Sequence, residues 1–563
     1  MLSYKYFLTD SSLIDDRYWC YKIHFKPRRE SELTFIGDMW IHDTTYAVKQ
    51  IEATISGDAN INWINEFSVY QEYNQVSKEV WMLTTDKLVI DFTASNRTMG
   101  FYGRKTASYR NFHINQPKVD AFYNGVDNII VDDSANLHSE EFWEESRHMD
   151  LSENEKNIYA MVDTIRQIPA FRTYVDIIQL VVTGYKVWGN VEIGPYFNLY
   201  SWNQIEGHRF RFGGRTSNDF SKRLMIEGYT AYGTRDEKFK YGAGFQYFLS
   251  KKPRQLVGAR YRWDVEQLGQ GDNAWRNDNI LASFLRRNPA NQLNGYQEFK
   301  VFYEREWFNG FSNRLELNRR EIWGLGDLSF RPPEINGPRD GRITTSEITL
   351  HSRFAYKEKF VSGEFNRVSL GAELPILQAR YSLGLKDVFN SEYNYHILRI
   401  NLRDKTVINP IGYSEWIVEG GKIWGQLPYP LLELHNGNET YAYDLSAFNL
   451  MNFYEFVSDE YVSFSLTHHF NGLFLNKIPL MKKLKWREVA SIRGVAGNLD
   501  DKNRAELPFP NDLFSLSQPY YEAGVGIENI LKILRVDGLW RLSYLDNPDV
   551  TQFGVRGTLQ FTF

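Results

Sequence analysis

From about residue 186 to the end of the chain, apolar and polar side chains alternate with a period of two. The stretch FKYGAGFQYFL sets Phe239, Tyr241, Ala243, Phe245, Tyr247 and Leu249 against Lys240, Gly242, Gly244 and Gln246. LVGARYRWDV sets Val257, Ala259, Tyr261, Trp263 and Val265 against Arg260, Arg262 and Asp264, and GHRFRFGGRT sets His208, Phe210 and Phe212 against Arg209, Arg211 and Arg215. Successive side chains of a strand point to opposite faces, so each stretch is a strand with an apolar and a polar side. The closing TQFGVRGTLQFTF is near the roughly 9–11 residues that a tilted strand needs to cross a bilayer. About sixteen such segments follow one another, within the range of transmembrane barrels.

The polar faces decide between a barrel and a soluble sandwich. A sandwich turns its polar face to water and suits short mixed residues. Here that face carries long cations and a few acids: Arg209, Arg211, Arg215, Arg223, Glu227, Lys240, Arg260, Arg262, Asp264 and Arg541. Charges that pair across a lumen while aromatics face lipid fit this pattern. Aromatics make up 16% of the chain, with 35 Tyr, 38 Phe and 15 Trp, and Tyr and Trp collect at membrane–water interfaces. If the lumen is open, the cations of the first strands form a wall only partly offset by Glu227 and Asp264, which would favour anions.

Link lengths alternate as well. EQLGQGDNAWRNDN, GLGDLSFRPPEINGPRDG, GQLPYPLLELHNGNETYAYD and GNLDDKNRAELPFPND are long and polar, whereas SNDF, SKKPR, FNG and ENIL are short and have the opposite parity. TRDEK, LDNPDV and the link from about Lys357 to Glu373 depart from this pattern. Bacterial barrels have short periplasmic turns and long external loops, and an even strand number puts both ends in the periplasm. The expected organisation is therefore a periplasmic β-domain over 1–120, a helical linker over 121–185 and a transmembrane antiparallel β-barrel over 186–563. In the first part YWCYKIHFK alternates Trp19, Tyr21, Ile23 and Phe25 with Cys20, Lys22, His24 and Lys26, as in a sheet with one covered face. In the linker, Ser152 and Glu155 have capping-box spacing, helical periodicity follows, and Pro169 interrupts it. The acidic polar face of that helix predicts packing on protein rather than on lipid.

The terminal Phe561 and Phe563 resemble the C-terminal signature of outer-membrane barrels, which implies an insertion signal read by the barrel-assembly machinery. Three blocks, CYKIHFKPRRESELTFIGDMWIHDTTYAVKQIEA, YSWNQIEGHRFRFGGRT and HHFNGLFLNKIPLMKKLKWRE, together resemble an uncharacterised family of Bacteroidota outer-membrane proteins. Its members usually carry an upstream carboxypeptidase-D regulatory-like domain. That domain and a signal peptide are missing from this sequence, so an N-terminal truncation is expected. The first block is also similar to LolA-like half-barrels, and the barrel is distantly similar to the BamA-like superfamily. The resemblance implies outer-membrane lipid and the assembly machinery as partners, with other envelope proteins or lipid reached through the periplasmic domain. It transfers no activity.

Composition and motifs narrow the chemistry. A net charge of -5 leaves no footprint for nucleic acid, and the single Cys20 forms no internal disulfide. The longest apolar run, Val175 to Tyr185, is too short for a membrane helix. His468 and His469 are adjacent and point to opposite strand faces, so they share no metal. No zinc-protease, nucleophile-elbow or Walker motif occurs, and neither metal nor cofactor is expected. The loop around Pro428, Pro430, Leu431, Leu432 and Leu434 is unusually apolar. It either folds inward as a plug or packs on neighbouring loops. The expected function is a non-catalytic outer-membrane barrel in transport or envelope assembly. The alternative is a surface or periplasmic β-rich glycan-binding protein.

Overall fold

The computed structural model describes residues 4–29, 32–93, 100–123, 138–148, 150–270, 279–288, 292–326, 328, 330 and 341–560. The chain is mainly β. Its first unit is a seven-stranded antiparallel sheet in sequence order, from Tyr4–Ile14 to Phe101–Ser108. One face is apolar across several strands: Ile23 lies opposite Leu8 and Met39, and Met39 lies opposite Ile51. The expected cover over that face is incomplete. Phe25 is buried, but Trp19 and Tyr21 are exposed while Tyr18 and Cys20 on the other face are buried. The reason is local. Tyr18 packs its ring against His42 and Trp81, and Lys49 is buried beside them between Asp15 and Glu72.

The two longer helices between this sheet and the second unit are Glu153–Gln167 and Pro169–Thr183. Ser152 and Glu155 form a complete capping box. Pro169 starts the second helix where its missing N–H costs nothing, and Gly184 ends that helix in the left-handed region, φ 77°. The helices touch each other and the short strand that follows. Among the described residues nothing covers their apolar faces, where the sequence predicts packing on protein.

The second unit is an eighteen-stranded sheet, three of whose strands, Lys186–Trp188, Val191–Ile193 and Tyr200–Asn203, are only three or four residues long. From Gly207–Thr216 onward, strands pair antiparallel with their sequence neighbours to Phe553–Leu559. The sheet order then continues to Lys186–Trp188 and Val191–Ile193, and the latter also pairs with Gly207–Thr216.

Register places the two side-chain sets on separate faces throughout. Arg262 lies opposite Gly242 and Glu298, whereas its neighbour Tyr261 lies opposite Ala243 and Phe299. One face therefore exposes Phe212, Phe245, Leu317, Leu350, Val462 and Val555. The other holds the charges. The link after Arg342–Phe354 is long because it carries a small hairpin, Lys359–Ser362 with Arg367–Gly371, which turns back to the charged face through Arg353–Glu358 and Arg367–Glu306 pairs.

The first sheet meets the second at the short-link end. Loop 56–63 is the contact. Asn62 exchanges hydrogen bonds with Asn529 at 2.6 and 3.1 Å, Arg487 and Lys485 donate to the carbonyls of Asn60 and Ile61, and Lys482 pairs with Asp58 at 2.9 Å.

Candidate functional site

The charged face of the large sheet is where the fold gathers most of the charged residues singled out in the sequence, and it distributes them along the face in ion pairs. Arg209 is buried and binds Glu206 at 2.9 Å and Asp264 at 2.8 Å. Asp264 also accepts the Tyr229 hydroxyl. Lys240 is equally buried and pairs with Glu206 at 2.8 Å and Asp236 at 2.5 Å. Arg215 binds Glu192 at 2.6 Å, Arg260 binds Glu227 at 2.5 Å and Arg262 binds Glu298 at 2.6 Å. The Arg211 guanidinium stacks 3.8 Å above the Tyr229 ring. Arg223 is a correction: it sits in the turn before Leu224–Gly233, exposed, and not on a strand face.

This pairing also revises the expected cationic wall. Glu206, Glu192, Asp236 and Glu298 join Glu227 and Asp264, so Arg209, Arg215, Lys240, Arg260 and Arg262 each meet a carboxylate, whereas Arg211 stacks on Tyr229. Sequence reasoning missed these acids because three of the four lie in turns or on short strands outside the long alternating segments.

What covers this face is the loop between Gly412–Trp424 and Glu460–His469. Leu427, Pro428, Tyr429, Pro430, Leu432 and Leu434 are buried, and Leu431 is half-buried. Leu427, Tyr429, Leu432 and Leu434 belong to the largest apolar cluster among the described residues, and Leu431 packs against it, with Tyr296, Ile322, Ile343, Tyr395, Ile397 and Ile423 from the charged-face side of the strands. Pro428 is extended at the entry, Pro430 lies in a single 3-10 turn, Tyr429–Leu431, where the expected extended path gives way, and Glu433–Leu434 pairs with Phe456–Ser458. At Gly437 the two arms touch so closely that a Cβ would lie 2.4 Å from the Asn452 carbonyl oxygen. Strand charges grip the loop backbone: Glu522 accepts the Asn449 and Leu450 N–H groups at 2.8 and 2.9 Å, and Arg556 donates to the Asn449 carbonyl. Arg541 forms a two-pronged pair with Glu455 of the loop, at 2.5 and 3.0 Å, with both side chains buried. Arg399 likewise binds Glu433 at 2.5 Å. Burial pushes the imidazole of His435 down to about 4. Its Nε2 sits 2.9 Å from the Ser458 hydroxyl.

The loop also reaches the edge of the last strand. Gly557 donates to the Tyr441 carbonyl at 3.0 Å and accepts from Tyr443 at 2.8 Å. Tyr441 in turn donates to the Leu285 carbonyl at 2.8 Å, and Ser283 Oγ accepts from the Trp202 N–H at 3.0 Å. At this level two loop segments bridge the strands Tyr200–Asn203 and Phe553–Leu559. Among the described residues the charged face also borders two sizeable cavities. One of about 590 Å³ is lined by Tyr185, Arg211, Tyr229, Arg262, Glu298 and Arg320 among others. The second, about 810 Å³, lies between Arg314, His351, Arg353, Arg399, Arg403 and Glu419, and both reach Arg380.

His468 and His469 do face apart. His469 is buried 2.9 Å from Glu528, and His468 sits 2.8 Å from the Ser414 hydroxyl. Phe561 and Phe563 lie outside the described residues, as do most of the expected long loops at 271–278 and 331–340.

Two family models match the sequence: the C-terminal domain of a family of unknown function (DUF5686) over residues 181–503, and the same family's first model over residues 1–112. No curated protein matches it. Among solved structures it is similar to BamA from Haemophilus ducreyi lacking POTRA domains 1-3, at 10% identity and a TM-score of 0.42, over 67% of this chain and 71% of that one. It is also similar to CdiB from Acinetobacter baumannii, at 11% identity and a TM-score of 0.34, over 64% of this chain and 57% of that one.

Proposed function

The chain belongs to the family of unknown function (DUF5686), which brings no activity with it, and on that footing we propose from the geometry that it is an outer-membrane β-barrel working in transport across, or assembly of, that membrane without catalysis. The observation that carries this is the two-faced sheet. An apolar face exposed over strand after strand is unfavourable in water and is what lipid-facing strands require. The opposite face is charged, ion-paired and filled by an apolar loop, as a lumen with a plug would be. Closure is supported by the sheet order, in which the strand after Phe553–Leu559 leads back to a partner of Gly207–Thr216. A closed sheet leaves no unpaired backbone edge in hydrocarbon.

In this reading the short-link end is periplasmic, and the seven-stranded sheet docked there hangs below the barrel, where it can meet envelope proteins or lipid. The loop from Leu427 onward closes the lumen from the other end. Purified protein should need detergent and should migrate differently on a gel before and after boiling. In planar bilayers the intact chain should be silent, and a form lacking Leu427 to Glu439 should conduct. Because the wall is ion-paired, the current should show little preference between small anions and cations. Release into high-salt buffer without detergent would sink the barrel, and silence in both forms would remove the plug and point to docking or assembly alone.

A further inference from the structure

The helix Pro169–Thr183 places Phe171, Tyr174, Val175, Ile178, Val181 and Val182 along one side at helical spacing, with Arg172, Asp176, Gln179 and Thr183 on the other. An apolar stripe of this width normally faces a core. Among the described residues nothing covers it: Tyr174 is 67%, Ile178 63% and Val182 77% exposed. The preceding helix Glu153–Gln167 also leaves Ile158, Met161 and Val162 exposed.

The anchor of the second helix fixes where the stripe lies. Gly184 at its end accepts a hydrogen bond from the Tyr196 N–H at 2.8 Å, and Asp176 pairs with Lys186. Gly194 next to that contact bonds to Gly213, and Ile193 pairs with Gly214. The helix end thus sits two to three residues above Thr216, the short-link end of its strand. That is about 7–10 Å into the strand's span, at roughly 3.3 Å per residue. The helix is about 22 Å long at 1.5 Å per residue, so it cannot cross a bilayer. Trp188, 73% exposed, continues the apolar surface on the adjoining strand.

We propose that the helix pair, and above all Pro169–Thr183, lies in the lipid leaflet at the short-link end, apolar stripe inward, beside the junction of the first and last strands. This rests on the barrel reading. The partner is the acyl region of the bilayer and not a particular headgroup. The helices carry Glu153, Glu155, Asp163 and Asp176 against Lys156, Arg166 and Arg172, a mixture without the basic face that draws a helix to anionic lipid. Contact should therefore be insensitive to salt and to the fraction of anionic lipid.

Single cysteines carrying a polarity-sensitive fluorophore test this in proteoliposomes of the full chain, with Cys20→Ala as background and gel mobility on heating as the folding check. Labels at Ile178→Cys and Val182→Cys should be quenched several-fold more by nitroxide on the upper acyl chain than by aqueous iodide. Arg172→Cys and Gln179→Cys should show the reverse. A label at Val462→Cys, on the exposed face of Glu460–His469, reports on the barrel itself. If Val462 is lipid-quenched while Ile178 and Val182 are open to iodide, the helix lies in water and the inference falls alone. If those two are shielded from both quenchers, protein covers them and it falls as well. If Val462 is itself open to iodide, the barrel reading fails first and takes the inference with it.

Discussion

Replacing Glu455 by Ala strikes the contact that most directly ties the loop to the wall. The change leaves Arg541, wholly buried, without the Glu455 carboxylate that pairs with it, although the Leu450 and Ser543 carbonyls still accept from it. Removing one partner of a buried pair costs about 3–5 kcal/mol. Glu455 also accepts from the Asn452 N–H and the Asn547 amide, which argues for the upper half of that range. Against this stands the apolar grip of the loop. Leu427, Tyr429, Leu432, Leu434, Phe453, Tyr454, Phe456 and Val457 are all buried, worth about 1.5–3 kcal/mol each. The grip is therefore larger than the loss, and the loop should stay in place most of the time. What changes is the rate of excursions: at about 1.4 kcal/mol per decade, the open population rises by roughly two to four powers of ten. Single-channel recording should show brief openings in Glu455→Ala that the intact protein lacks, and protease added at the long-loop side should cut the loop faster. The double variant Glu455→Met with Arg541→Met removes both charges together and should recover most of the silence, since an apolar pair of similar volume is close to neutral. Openings and cleavage equal to the intact protein in Glu455→Ala would refute the view that this pair holds the plug.

Three further outcomes are expected. Phe245, 42% exposed on the apolar face and opposite Ala259, should cost about 2–4 kcal/mol as Phe245→Arg in bilayer refolding, whereas Phe245→Leu should be mild. His435 is held neutral by burial, with its pKa at about 4 against about 6.5 when unfolded. The unfolded chain therefore binds the extra proton between those values, so stability is full above pH 6.5 and falls by about 1.4 kcal/mol per unit as pH drops towards 4; His435→Gln should flatten that slope in melts followed from pH 7 to 4.5. Asn62→Ala removes a fully buried amide paired with Asn529 and should weaken docking of the first sheet by about 1–3 kcal/mol; limited proteolysis of loop 56–63 should speed up while the gel mobility of the barrel is unchanged.

Much of the fold was legible because alternation is a local property. The register of each pair follows from which side chains can share a face, so Arg260, Arg262 and Asp264 could be assigned to one side and Tyr261 and Trp263 to the other from ten residues of sequence. The capping box at Ser152 and the break at Pro169 are equally local. The turn at Arg223 was misread because alternation was carried past the end of a strand, and the exposure of Trp19 because its neighbour Tyr18 packs on His42 and Trp81 from other strands.

The sequence by itself therefore determined the strands, their two faces, the helical linker and the oddity of the loop at Leu427. Only the tertiary structure decided what neutralises what. Arg209 meets Asp264 across fifty-five positions of chain, and Arg541 meets Glu455 across eighty-six. It also decided that the loop turns onto the charged face, that its Tyr441–Tyr443 segment lies along the edge of the last strand, and that no described residue covers the apolar stripe of the linker helices. Period and propensity act over a few residues, whereas ion pairing and burial depend on which remote segments the sheet order brings together, and no local pattern encodes that.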